Sequence, residues 1–182
     1  RIRRYYDSGG HVLGICGGYQ MLGRKITDPE GLEGEPGETP GLGLLPVETR
    51  LSAPKTTTRA RFTWGGVEAA GYEIHMGQTL LSAGSEWINV IEQNGKAVSF
   101  FDGCASEDGR VRGTYMHGLF DTPGVLKKWL AEIGLPELEV ANVQGFAARD
   151  AQYELLARYF ENHADVDGMM ALMGITPKEE SG

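Results

Sequence analysis

A short apolar segment that ends at a cysteine is the feature that most restricts the fold of this chain. Residues 11–16 are rich in aliphatic side chains, which is typical of a buried parallel strand. Gly17 and Gly18 follow at once. The next apolar residues are spaced as one face of a helix: Tyr19, Met21, Leu22 and Ile26. The pattern predicts a strand, a tight turn at Cys16 and a helix, which is a unit of α/β folds.

The predicted turn places the Cys16 thiol where it can act as a nucleophile. The first backbone N–H groups of a helix have no partner within the helix, and together with the helix dipole they favour the reactive thiolate. The Gly17 N–H would then stabilise an oxyanion beside the sulfur. A sharp turn needs small neighbours, and Gly14, Gly17 and Gly18 supply them. The alternative is a buried structural cysteine in a glycine-rich turn.

A cysteine nucleophile needs a base, and the chain has four histidines. His117 follows a predicted strand at residues 111–116. It therefore lies at the carboxyl end of a strand, as the cysteine does, and sites of open α/β sheets gather at that edge. His117 is the preferred base and His75 the second candidate. His11 enters the first strand at its opposite end, and His163 falls near the end of a surface helix. For each histidine alone, a structural hydrogen-bonded imidazole is the alternative.

Other segments give clear signals of turns and helices. The predicted elements are a hairpin at residues 87–91 and 97–101 with its turn at 93–95, a helix that begins at residues 121–123, a helix at residues 149–163, and a last short helix capped by Asp165. Residues 28–46 are rich in Gly, Pro and Glu and are predicted to form a surface loop. Cys104 lies in a turn-like stretch with no helix after it, and we interpret it as structural.

Length and composition are ordinary for one globular domain, residues 1–182. The net charge is -8 and no basic run follows the first four residues, so nucleic acid is not an expected partner. No apolar run approaches the roughly 18 residues of a membrane span, so no membrane contact is expected. Two cysteines do not form a disulfide framework, which favours the cytoplasm. Cys and His are too few and too scattered for a zinc site, and a P-loop motif is missing, so we expect no metal or cofactor in this chain.

Three motifs together resemble a known family. They are GICGGYQMLG at residues 14–23, GYEIHMG at residues 71–77 and GTYMHGLFD at residues 113–121. The first resembles the nucleophile motif of class I, triad-type glutamine amidotransferases. The three together resemble the C-terminal glutamine amidotransferase domain of the cobyric acid synthase family, which belongs to cobalamin biosynthesis. The similarity covers nearly the whole chain.

The resemblance implies a three-layer, flavodoxin-like α/β fold with a mostly parallel sheet and helices on both faces. Relative to that fold, the N-terminal strands are expected to be missing, together with an upstream loop that supplies a second oxyanion N–H. The chain begins with Arg1 rather than Met, which agrees with an absent upstream part. An unpaired sheet edge would favour association of the chain with itself as a homo-oligomer.

The resemblance also implies roles for individual residues. Cys16 matches the nucleophile and His117 the catalytic base. The oxyanion and substrate-binding positions are Gly17 as oxyanion donor, Gln20 as a residue that helps to hold glutamine, and His75 with Met76 in a backbone segment near the amino-acid end of glutamine.

One position departs from the wider class. Ordinary triad members carry Glu two residues after the histidine, and here that residue is Leu119. The resembling subfamily shares this difference. The group that orients His117 therefore stays open between Asp121, Glu73 and a backbone carbonyl.

The implied activity is the release of ammonia from L-glutamine. A separate synthetase domain, absent from this sequence, would use ATP and Mg to activate carboxylates of a corrinoid substrate and pass ammonia to them. Two relatives with the same turn are alternatives, namely cobyrinate a,c-diamide synthase and the amidotransferase of cell-wall lipid precursors. An alternative of another class is a non-catalytic scaffold that binds a synthetase partner.

Overall fold

The computed structural model describes residues 1–141 and 145–174. These residues fall into two compact units, Arg1–Asn142 and Val143–Gly182. The α/β class predicted from the sequence is confirmed. The catalytic and substrate-binding residues predicted from the sequence all lie in the first unit.

The first unit contains ten strands and three α-helices among its described residues. The strands are β1 (Val12–Ile15), β2 (Lys25–Asp28), β3 (Gly37–Pro40), β4 (Val47–Arg50), β5 (Thr56–Trp64), β6 (Val67–His75), β7 (Gln78–Leu81), β8 (Ser85–Gln93), β9 (Lys96–Ala105) and β10 (Val111–Thr114). The α-helices are α1 (Ile2–Asp7), α2 (Gly17–Leu22) and α3 (Pro123–Glu132), and a 3-10 helix spans Leu119–Asp121.

The strands form two sheets. The larger has the order β1-β10-β9-β8-β5-β6, and the smaller has the order β3-β2-β4-β7. The sheet expected to be mostly parallel is mixed, because in the described part of the chain parallel pairing is restricted to β1 with β10 and β2 with β4. The physical reason is the short connections: Gly65 and Gly66 join β5 to β6, and Asn94 and Gly95 join β8 to β9. Two-residue turns can link only antiparallel strands.

The larger sheet curls so that its edge strand β6 meets the chain just after β10. Tyr72 of β6 forms an antiparallel bridge with His117. The end of β10 therefore has β9 and β1 as sheet neighbours, and residues shortly beyond it contact β6. This curl decides which residues reach the candidate site.

Two hydrophobic clusters cover opposite faces of the larger sheet. Val12 and Val111 pack with α2, whereas the next residue of each strand, Leu13 or Arg112, packs with α3 and its neighbours. Consecutive side chains of a strand point to opposite faces, so α2 and α3 lie on different faces. The expected helices on both faces are thereby observed. A fully buried side chain such as Phe62 stabilises the fold by about 2 kcal/mol.

The second unit contains two helices, α4 (Gly145–His163) and α5 (Val166–Leu172). The carboxylate of Asp165 accepts a hydrogen bond from the Gly168 N–H at 2.9 Å, so the predicted cap of the last helix is confirmed. Among the described residues of either unit, no helix is both long enough and apolar enough to cross a bilayer.

Candidate active site

The predicted strand–turn–helix unit is present, with Cys16 at the turn. Cys16 follows β1 directly and is the N-cap of α2, and its backbone N–H donates to the Thr114 carbonyl at 2.9 Å. Its φ of 54° and ψ of -117° lie in a region that residues with a Cβ rarely adopt. Such a conformation costs about 1–3 kcal/mol and persists only where the surroundings enforce it. The turn therefore holds the thiol in one direction.

The glycines around the turn have different functions. A Cβ at Gly14 would lie 2.6 Å from Cδ1 of Leu22 and 2.7 Å from the Gly18 backbone, so α2 can approach β1 only over a glycine. A Cβ at Gly17 or Gly18 would have no atom within 4 Å. The prediction that all three are needed for space is therefore correct for Gly14 alone. Of the other two, Gly17 lines the cleft beside Cys16.

The end of β6 faces the turn. The Cys16 S–H donates to the Ile74 carbonyl at 3.3 Å. The side-chain amide of Gln20 donates to the Met76 carbonyl at 3.2 Å and to the Tyr115 hydroxyl at 3.1 Å. The structure thus brings the backbone of residues 74–76 against α2. Both amide hydrogens of Gln20 are used, which leaves its carbonyl oxygen as the group it can offer to a ligand.

His75 lies in the same place and is partly buried. Its ring stacks on Tyr115 with centroids 3.6 Å apart and an interplanar angle of 15°. Burial lowers the pKa of His75, and the nearby His117 lowers it further. The His75 imidazole is therefore neutral near pH 7.

His117 is held by its backbone against β6. Its N–H donates to the Tyr72 carbonyl at 2.8 Å, and its carbonyl accepts from the Tyr72 N–H at 3.1 Å. The imidazole lies parallel to the Tyr72 ring, with an interplanar angle of 6° and centroids 5.0 Å apart. Its Nε2 is buried and has no hydrogen-bond partner in the described part of the chain. Cys16 and His117 therefore contact the same strand two residues apart, at Ile74 and at Tyr72.

A cleft of about 740 Å³ opens beside the thiol. Of the residues predicted for the site, its lining contains Cys16, Gly17, Gln20, His75 and Met76. The lining does not include His117. One wall is formed by residues 33–39, which the sequence predicted to be part of a surface loop. The composition of residues 33–39 does not indicate that they line a cleft.

The charges of the cleft are unequal. Its lining includes four acidic residues, Asp28, Glu33, Glu35 and Glu38, and one basic residue, Lys55. The Asp28 carboxylate accepts the Leu32 and Glu33 N–H groups at 2.9 Å each, and these bonds lower its pKa. A ligand with one ammonium and one carboxylate group, such as an amino acid, would find partners for both charges here.

Sequence reasoning missed a buried carboxylate beneath the His117 segment. Asp102 is 7% exposed and accepts from the Thr114 hydroxyl and from the Tyr115 N–H, the latter at 3.1 Å. The Thr114 oxygen in turn accepts from the Met116 N–H at 3.0 Å. Asp102 thus fixes the chain from the end of β10 to the residue before His117. An aspartate within a strand, as Asp102 is in β9, is a weak signal, because nothing in the sequence pairs it with residues 114–116.

Glu73 lies near Asp102 and is 5% exposed. Burial raises the pKa of Glu73 to about 7, and the negative charge of Asp102 contributes to the rise. Burial also raises the pKa of Asp102, but several hydrogen-bond donors oppose that rise. Glu73 therefore binds a proton below about pH 7, whereas the hydrogen bonds that Asp102 accepts favour its charged form.

The position of Leu119 explains the departure from the wider class. Leu119 is 1% exposed and belongs to the cluster that packs on α3, so a carboxylate there would lie in the hydrophobic core. The Asp121 carboxylate lies close to the residue after His117, since a Cβ on Gly118 would be 3.3 Å from its Oδ2. Asp121 therefore stays a candidate for orienting His117.

An α/β sheet with a strained cysteine between a strand and a helix N-terminus defines a class of proteins that expose a nucleophile at this turn. Residues 1–125 match the model of the CobB/CobQ-like glutamine amidotransferase domain. The chain therefore belongs to this glutamine amidotransferase family, which confirms the resemblance seen in the three motifs.

Curated relatives agree with this assignment. The chain is 42% identical over 182 residues to the cobyric acid synthase of Chlorobaculum tepidum, which covers 98% of the chain and 36% of that protein. It is 45% identical over 167 residues to the cobyric acid synthase of Rhodobacter capsulatus (90% of the chain, 33% of the relative) and 46% identical over 165 residues to that of Paracoccus denitrificans (90% and 32%). The chain spans about a third of the length of these relatives.

Proposed function

We propose that this chain hydrolyses glutamine to glutamate and ammonia, with Cys16 as the nucleophile and His117 as the acid and base. The observation that carries the proposal is the shared contact with β6: the Cys16 thiol reaches the Ile74 carbonyl, and His117 pairs with Tyr72. Membership of a glutamine amidotransferase family supports glutamine as the substrate.

The reaction begins when Cys16 leaves the Ile74 carbonyl and gives its proton to His117. The sulfur attacks the carboxamide carbon of glutamine, and the carbonyl oxygen becomes an oxyanion beside the Gly17 N–H. The carbon–nitrogen bond then breaks, and the nitrogen leaves as ammonia with the proton from His117. Water, deprotonated by His117, attacks the remaining thioester. The carbon–sulfur bond breaks, glutamate leaves, and the sulfur recovers its proton.

The rest of the cleft supports substrate binding in this proposal. The free carbonyl oxygen of Gln20 accepts an N–H of the substrate, and the backbone of His75 and Met76 lies beside its amino-acid end. Lys55 and the acidic residues of the cleft complement the carboxylate and the ammonium group of free glutamine.

The relatives suggest the use of the ammonia. They are named cobyric acid synthases. We infer that ammonia from this chain amidates carboxylates of a corrin ring, converting adenosylcobyrinic acid a,c-diamide to cobyric acid in the cytoplasm. The activation step uses ATP and Mg²⁺, which a synthetase domain outside this chain binds.

Glutamate release from glutamine tests the first half of the proposal. Cys16→Ala should reduce the rate about a thousandfold or more, because removal of a nucleophile eliminates the covalent route. Cys104→Ala is the matched control, since Cys104 is fully buried and does not line the cleft. Its sulfur accepts a hydrogen bond from the Tyr19 hydroxyl at 3.8 Å. Its rate should stay near that of the wild type. Glutamate release that persists in Cys16→Ala would refute the assignment.

The second half of the proposal, the amidation of a corrin ring, is tested with the natural protein that carries this chain. With ATP and Mg²⁺, Cys16→Ala should abolish glutamine-dependent amidation of the a,c-diamide but preserve amidation by added ammonium chloride. If the natural protein amidates a different acceptor, such as cobyrinate or a cell-wall lipid precursor, the corrin proposal is wrong although the glutaminase proposal stands.

A further inference from the structure

We propose that Tyr72 is a positioning residue for His117, and that its ring fixes the plane in which the imidazole exchanges protons with Cys16. This inference rests on the proposed glutaminase function. It adds Tyr72 to Asp121 as a group that orients the histidine in a chain that has Leu119 where triad members carry a carboxylate.

The stack between the two rings is nearly parallel. The interplanar angle is 6° and the centroids are 5.0 Å apart. Rotation of an imidazole about its χ2 bond meets only a broad torsional preference, so the ring plane must be set by a neighbour. The flat face of Tyr72 lies where it can do so.

The backbone fixes the distance over which the rings stack. Two hydrogen bonds, of 2.8 and 3.1 Å, join Tyr72 and His117 as an antiparallel pair. The preceding residue makes this approach feasible, because a Cβ at Gly71 would lie 2.4 Å from the His117 carbonyl oxygen. Tyr72 and His117 are therefore directly opposite each other on adjacent backbone segments, and the faces of their two rings meet.

The other side of Tyr72 is open. Tyr72 is 39% exposed and lines a groove of about 700 Å³ together with Arg59, Ile74 and Glu92. Its hydroxyl has no hydrogen-bond partner in the described part of the chain. The ring is thus the part of Tyr72 that acts on His117, and phenylalanine should replace tyrosine without loss.

A kinetic comparison of substitutions tests the proposal in the full 182-residue chain. Tyr72→Leu removes the flat face, and because an aromatic contact of this kind is equivalent to about threefold to tenfold in an equilibrium constant, kcat should fall by about that factor. KM for glutamine should stay within about twofold, since Tyr72 is not in the lining of the cleft. Tyr72→Phe should retain the wild-type kcat.

Phe100→Leu is the matched control. Phe100 is also 39% exposed and lies on β9 of the same sheet. The control should leave kcat unchanged. The proposal would be overturned by any of three results. These are an equal loss of kcat in Tyr72→Leu and Phe100→Leu, an equal loss in Tyr72→Leu and Tyr72→Phe, or an unchanged kcat in Tyr72→Leu.

Proton NMR of the imidazole signals tests the stack without reference to activity. The ring current of Tyr72 should shift the His117 ring protons upfield, and this shift should vanish in Tyr72→Leu and remain in Tyr72→Phe, with His117→Gln used for assignment. A His117 signal that does not respond to Tyr72→Leu overturns the positioning role. If the signal responds but the wild-type chain releases no glutamate, the failure lies with the glutaminase function.

Discussion

At the residue scale, the glycines of the cysteine turn are constrained to very different degrees. Gly14 lies under α2, where Leu22 and Gly18 leave no room for a Cβ, whereas Gly17 borders open space. The same residue type therefore provides close packing at one position and access to the sulfur at the other.

Gly14→Ala should destabilise the chain by about 1–3 kcal/mol, because the added methyl group forces α2 away from β1. Gly17→Ala, with open space around its new methyl group, should stay within about 0.5 kcal/mol of the wild type. Urea unfolding of the two variants measures the difference. Equal stabilities would show that α2 can move without cost.

Much of the site can be predicted from single residues, and the remainder depends on distant contacts. Cys16 and His117 were placed at strand ends from local patterns. Cys16 directly follows β1, whereas β10 ends at Thr114 and His117 lies three residues beyond it. The Ile74 carbonyl, which accepts from the thiol, has no signature in a side chain. Asp102 supports residues 114–116 through the pairing of β9 and β10, which depends on the whole sheet.

At the element scale, the edge of β6 connects Cys16 to His117, the proposed nucleophile and base. Both residues contact β6 through its backbone carbonyl groups. The approach of His117 to this edge requires a residue without a side chain, Gly71.

Gly71→Ala should separate His117 from β6, because the new methyl group would clash with the His117 carbonyl. We expect kcat for glutamine hydrolysis to fall about tenfold to a hundredfold, as small displacements of reacting groups do. Ala70→Ser, at the exposed neighbouring position, is the control and should be active. Full activity of Gly71→Ala would mean that the contact between β6 and His117 is dispensable.

Two local signals, one of a turn and one of a helix start, agree with the structure, whereas α4 begins at Gly145 instead of at residue 149 as predicted. The turn at Asn94 and Gly95 has both residues at positive φ, as the sequence indicated, and α3 begins at Pro123 as predicted. The nine-residue pairing of β5 with β6 was missed. The turn of this hairpin, Gly65–Gly66, is short. The register of β5 with β6 depends on which face of β5 contacts α3, and the packing of the core decides that.

At the scale of the whole molecule, the buried carboxyl pair makes stability depend on pH. The pKa of Glu73 is raised from 4.5 to about 7 by burial, so the folded chain binds a proton that the unfolded chain has released between these values. The folded state gains stability from this proton at low pH and loses it as pH rises through about 7.

Glu73→Gln removes this loss, since the amide is neutral at every pH. Relative to the wild type, the variant should gain up to about 3 kcal/mol between pH 5 and pH 8. Urea unfolding at the two pH values measures the change. Glu86→Gln, an exposed change of equal charge, is the control. A difference between Glu73→Gln and the wild type that does not change with pH would contradict the assignment of the proton to Glu73.

The parallel pairing of β1 with β10 has a consequence for synthesis of the chain. Val12 pairs with Val111, so about two thirds of the first unit is translated between the two strands that flank Cys16. A nascent polypeptide that has emerged as far as β9 already displays its cysteine, yet the strand that will lie beside it does not exist. Contacts between residues this far apart in sequence form slowly. During synthesis and early folding, Cys16 therefore lacks the neighbours of the candidate site, and it gains them only when β10 pairs with β1.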